Sequence, residues 1–102
     1  MSTFDEFIAE LEAEARDEGP HAVAELEAFR LHFSLARQLA EWRRARRLTQ
    51  KQLAELTGID QAEISRIERG QANPTTATLG ALTRALGVDV RLVPATYTSG
   101  VA

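Results

Sequence analysis

Gln61, Ala62, Ser65, Arg66 and Arg69 recur at the spacing of one helical face. An amide, a hydroxyl, two guanidiniums and a methyl on a narrow face suit hydrogen bonding inside a groove rather than the making or breaking of bonds. Catalytic alternatives find little support elsewhere in the chain. His21 and His32 are the only histidines and there is no cysteine, so neither a thiolate nor a mixed zinc site has its ligands, and no HExxH pattern occurs. No Walker loop, GxGxxG turn or nucleophile elbow is present. His32 and Ser34 do not share a helical face, and acidic pairs such as Glu10 and Glu14 read as a solvated helix surface. The expectation is a protein that is not an enzyme and needs neither cofactor nor metal.

The elements that must hold this face are two short helices crossing at a steep angle. Thr49 is placed to cap the first, Gln50 to Thr57, and Gly58 stops it. The second starts at Asp60 or Gln61 and ends at Gly70. Ala54 sits where the two approach, and a larger side chain there would push them apart. Gly58 takes a turn position that calls for positive φ. Leu53, Ile59, Ile64 and Ile67 face inward. Residues 71–74 form a loop, and Thr75 caps a further helix with a Leu79, Leu82 and Leu86 stripe, closed by Gly87. Val88, Val90 and Leu92 alternate with Asp89, Arg91 and Val93, which predicts one short strand ending at Pro94. A lone strand exposes its ladder groups, so pairing with the same strand of a second subunit is expected.

Upstream, Phe4, Phe7, Ile8, Leu11 and Ala15 trace one helical face, with Thr3 as its cap and Gly19-Pro20 as its end. Residues 21–47 then read as one long helix or as two with a break near Ser34. The predicted fold class is mainly α: five to six helices, with an N-terminal helical extension (residues 1–33), a compact domain closing in the strand (34–95) and a flexible tail (96–102).

The net charge of −3 hides a division. Residues 1–30 carry nine acids against two bases, a net of −7, whereas residues 31–102 carry ten bases against six acids, a net of +4. Opposite signs point to different partners for the two parts. A nucleic acid responds to the field of the surface that docks, not to the total charge. The first seven residues lack the basic and apolar regions of a signal peptide. No apolar run approaches the roughly 20 residues that span a bilayer, so no membrane partner and a cytoplasmic, bacterial setting are expected.

Residues 35–92 resemble the lambda-repressor-like, Xre-type helix-turn-helix family. The resemblance rests on Leu48-Thr49-Gln50, Leu53-Ala54, Gly58-Ile59, residues 64–70 (ISRIERG), Asn73-Pro74-Thr75 and the run from Leu79 to Val88, all in register. It implies a dimer on a pseudo-palindromic double-stranded DNA site. Gln50 would bond a phosphate, with Lys51 beside it, while Gln61 and Arg66 would face base edges, with Ala62, Ser65 and Arg69 close by. Asn73 and Thr75 or Thr76 would touch the DNA backbone. Arg43 would pair with Glu68 and brace the recognition helix, a structural role shared with Ala54 and Gly58. Three positions depart from the pattern. Ala62 replaces a polar reader, Glu63 puts a carboxylate near phosphates, and Trp42 stands where a small residue is usual, the expectation being that it packs on the N-terminal helices. Arg46 and Arg47 divide evenly between phosphate contact and simple solvation.

The acidic arm resembles the N-terminal extension of HigA-type antitoxins. That likeness implies a small, basic, RelE/HigB-like ribonuclease toxin as partner, held by Phe4, Phe7, Ile8 and Leu11, with carboxylates steering the encounter. The competing reading has the same apolar face packing on the protein's own domain. Two functions follow: an antitoxin that represses its own operon and neutralises a toxin, or a stand-alone repressor.

Overall fold

The structure, a computed structural model, describes residues 3–95. It contains five helices among them: α1 (Thr3–Glu18), α2 (Pro20–Ala45), α3 (Gln50–Thr57), α4 (Gln61–Glu68) and α5 (Thr76–Leu86). Pro20 opens α2, where the missing N–H and fixed φ of proline are no handicap. The question left open at Ser34 is answered by one unbroken helix. Ser34 is only mildly unfavourable in a helix, and its hydroxyl accepts from Gln38 one turn on. The division expected between residues 33 and 34 therefore falls inside α2, and the arm and the compact part share a helix.

α1 folds back along α2, with Arg30 paired to Glu12 across the hairpin. Ala15, Ala36 and Ala40 are buried, and Ile8 with them. The far half of α2 packs on α4 and α5, and α3 packs on both of these. At the centre lie Leu39, Leu53, Ile64, Ile67, Leu82 and Leu86, with Leu35, Leu48, Ala54, Ile59, Leu79 and Val88 around them. Of these, Leu53, Ile59, Ile64, Ile67, Leu79, Leu82 and Leu86 are the ones that the sequence pattern turns inward.

The helix ends are set by specific hydrogen bonds. Thr49 and Gln52 form a reciprocal capping box at α3: the Thr49 hydroxyl accepts from Gln52 N, and the Gln52 side chain accepts from Thr49 N. Gly58 is left-handed, at φ 76°, as the turn requires. Gly70 (φ 71°) closes α4, with Gln71 N donating to Arg66 O over 2.8 Å. α2 ends in the same manner, with Leu48 N donating to Arg43 O over 3.1 Å. The left-handed position there is held by Arg47 at φ 58°, the one described non-glycine residue at positive φ.

The expected C-terminal strand is corrected. Residues 88–95 follow α5 as irregular backbone, and no strand occurs among the described residues. Val88 packs on the core, but Leu92 is 99% exposed. A strand needs a ladder partner, and the described residues of one chain offer none. The expected tail, residues 96–102, lies outside the described residues. Thr3, expected to cap α1, lies within that helix.

Candidate nucleic-acid interface

The interface is built from α3, Gly58 and α4 outward. Ile64 and Ile67 anchor α4, each almost completely buried. The helical period then turns Gln61, Ala62, Arg66 and Arg69 to solvent and leaves Ser65 half-buried at the edge of that face. Ala54 is partly buried against the core. The α3–α4 turn is tightened by Thr57, whose hydroxyl donates to Leu53 O at 2.8 Å and accepts from Ile59 N.

Glu68 is the hub of the brace. Arg43 Nε and Nη2 donate to its two carboxylate oxygens at 2.7 and 3.0 Å, a fork-to-fork pair. The two side chains are 12% and 6% exposed. Arg43 Nη1 also donates to Leu48 O, tying the end of α2 to the start of the α3 segment. Gln50 Nε2 donates to Glu68 Oε1 at 3.0 Å. One carboxylate therefore joins α2, α3 and α4, and Gln50, expected on a phosphate, belongs to this brace as well. Lys51 is exposed in the first turn of α3.

Arg66 Nη2 donates to Glu63 Oε1 at 3.2 Å on the outer side of α4. Asn73, Thr75 and Thr76 follow on the loop and at the start of α5, all exposed. The Thr75 hydroxyl accepts from Thr78 N at 3.1 Å and so caps α5. That loop is held from behind by α2: His32 Nε2 donates to Gly70 O at 2.6 Å, and the Phe33 ring lies over Gly70.

Several of these contacts were not anticipated. Gln52 in the capping box was legible from the T-x-x-Q spacing, and the Glu63–Arg66 pair from its i, i+3 spacing. The clasp of His32 and Phe33 on Gly70 joins residues far apart in sequence and had no local signal. Arg46 has a structural role: its Nε donates to Leu86 O at 2.8 Å, and its guanidinium lies 5.1 Å from the Trp42 ring centroid. Trp42 thus rests under Arg46 at the end of α2, with much of its ring exposed.

The four apolar residues of the arm separate. Ile8 is buried and Leu11 half-buried, whereas Phe4 and Phe7 are 65% and 53% exposed. Among the described residues no cluster of His, Cys, Asp or Glu could hold a metal ion, and no helix is long and apolar enough to cross a membrane.

The profile of the helix-turn-helix family HTH_3 matches residues 39–93. An "uncharacterized HTH-type transcriptional regulator" of Haemophilus influenzae is 39% identical over 70 residues, covering 69% of this chain and 71% of that protein. A regulator of the same description from Sinorhizobium fredii is 45% identical over 58 residues, covering 56% of this chain and 75% of its own. The crystal structure of an HTH_3 family transcriptional regulator from Vibrio cholerae is similar at a TM-score of 0.57 and 34% identity, over 60% of this chain and 34% of that one. α1 and residues 20–38 of α2 lie outside the family match. With its α3–Gly58–α4 unit inside the matched span, this chain belongs to the helix-turn-helix family.

Proposed function

We propose that this protein is a sequence-specific DNA-binding repressor of transcription that sets α4 into the major groove. The observation that carries this reading is the outward row Gln61, Ala62, Arg66 and Arg69 on a helix whose other side is locked by Ile64, Ile67 and Glu68. Rigid support matters because a base contact must keep its geometry to discriminate. The names of the relatives, transcriptional regulators, support the same reading. Gln61 reads adenine through its amide, and Arg66 reads guanine O6 and N7. Gln50 keeps a second amide N–H for a phosphate while the first serves Glu68. Lys51, Asn73, Thr75 and Thr76 follow the DNA backbone, and Ser65 and Arg69 flank the readers.

Two copies bind one operator, the segments 88–95 of each pairing through Val90, Leu92 and Val93, all largely exposed in the single chain. Recognition helices then lie roughly 34–36 Å apart on a pseudo-palindrome. The acidic arm holds a small basic RelE/HigB-like toxin, with Phe4 and Phe7 as anchors, and the protein represses its own toxin–antitoxin operon in the bacterial cytoplasm. The burial of Ile8 and Ala15 favours a second reading, a stand-alone repressor whose arm serves only its own fold.

Footprinting on the upstream region of its own gene tests the first claim. Arg66→Ala is expected to cost about 1–3 kcal/mol on the operator and relax base preference at one position. Unchanged affinity and preference would remove α4 from the groove. Co-purification with the product of the adjacent reading frame tests the second claim: Phe4→Asp with Phe7→Asp should abolish capture without loss of DNA binding.

A further inference from the structure

Glu63 places a carboxylate beside the face that meets DNA phosphates, which weakens attraction to every sequence. It does not stand alone, because its Oε1 accepts from Arg66 Nη2 one turn further along α4. Both side chains are partly exposed, at 40% and 48%. On the reading of α4 as the groove helix, we infer that Glu63 is a positioning residue that acts through Arg66 and exchanges general DNA affinity for base selectivity.

A guanidinium carries five N–H donors, and Glu63 engages one of them. The remaining donors suffice for the two parallel bonds that guanine accepts at O6 and N7. A tethered Arg66 meets the base with less rotamer freedom left to lose. An untethered arginine in the same place is a long, mobile cation that finds a phosphate on any sequence. The Glu63 carboxylate offsets that pull, so Arg66 gains most where a base supplies well-aligned acceptors. In the free protein an exposed pair of this kind adds little to stability, so its removal leaves the fold intact.

The experiment uses duplexes selected by the full-length wild-type protein from a randomised pool. Dissociation constants are measured for the wild type, Glu63→Gln, Glu63→Ala, Arg66→Ala and the Glu63→Ala/Arg66→Ala double variant. The probes are the selected duplex, its single base-pair variants and a random duplex, each at two salt concentrations. Glu63→Ala should bind the random duplex more tightly and lose at least about fivefold of its discrimination at the base pair that Arg66 reads. Glu63→Gln, which keeps an acceptor oxygen but no charge, should fall between. In the Arg66→Ala background, Glu63→Ala should change base discrimination no further. Wild-type discrimination by Glu63→Ala, or an equal loss in the Arg66→Ala background, would overturn the role assigned to Glu63. Loss of preference at a different base pair, a cytosine read by Glu63 itself, would overturn it too. If Arg66→Ala alone kept every wild-type preference, the groove assignment of α4 would fail first.

Discussion

At the scale of single residues, Glu68 concentrates more structure than any other polar side chain of the interface. It accepts from Arg43 and Gln50 and is itself part of α4. A carboxylate that is nearly out of water is tolerable only while its partners remain. Glu68→Gln keeps the volume but loses the charge and one of the two matched acceptors. It should lower the unfolding free energy by about 3 kcal/mol in urea titrations, with Arg43 left buried and poorly paired. Arg43→Ala should cost a similar amount, and the two together less than their sum, since they share one interaction. The pairing of Arg43 and Glu68 was legible only through family resemblance, because 25 residues separate them. The outward setting of Gln61, Ala62, Arg66 and Arg69 was legible from the sequence itself: helical period alone opposes them to Ile64 and Ile67.

Elements were readable where their ends carry special residues. Thr49, Gly58, Gly70 and Gly87 marked α3, α4 and α5 to within two residues. The end of α2 carries no such mark, since Arg47 takes the left-handed position that glycine usually fills. The terminal strand does not form in the single chain, because alternation of apolar residues states a preference, whereas a ladder requires a neighbour. Two glycines of like conformation should respond differently to substitution. A Cβ at Gly58 meets nothing within 4 Å, whereas one at Gly70 falls 2.6 Å from the Phe33 ring. Gly58→Ala should cost about 1–2 kcal/mol for the left-handed backbone alone. Gly70→Ala should add about 1–3 kcal/mol of overpacking, part of it recovered by Phe33→Leu. Thermal unfolding of Gly58→Ala, Gly70→Ala, Phe33→Leu and the Gly70→Ala/Phe33→Leu pair measures the difference.

At the scale of the whole molecule, charge is partitioned along the chain. α1 carries seven acids and one base, a net of −6, on a protein that offers Lys51, Arg66 and Arg69 to solvent elsewhere on its surface. Deletion of residues 1–18 should therefore tighten DNA binding at low salt. The gain should vanish toward 1 M, where the screening length shrinks to about 3 Å. Anisotropy titrations over a salt series record both the gain and its loss. The same deletion removes the buried Ile8 and Ala15 and uncovers the face of α2 on which α1 packs, so a lower melting temperature should accompany it.

The unbroken α2 acts as a drive shaft between the arm and the domain that meets DNA. Its 26 residues extend about 39 Å, and every residue along it sets the bearing of what it carries. One residue inserted near Ser34 would swing the arm by about 100° while advancing it only about 1.5 Å. Four inserted residues would bring it back to within about 40° of its first heading. Any partner held by the arm would have its bearing about the α2 axis geared to a residue count, and lengthening this helix would alter where that partner points before it altered how far away it sits.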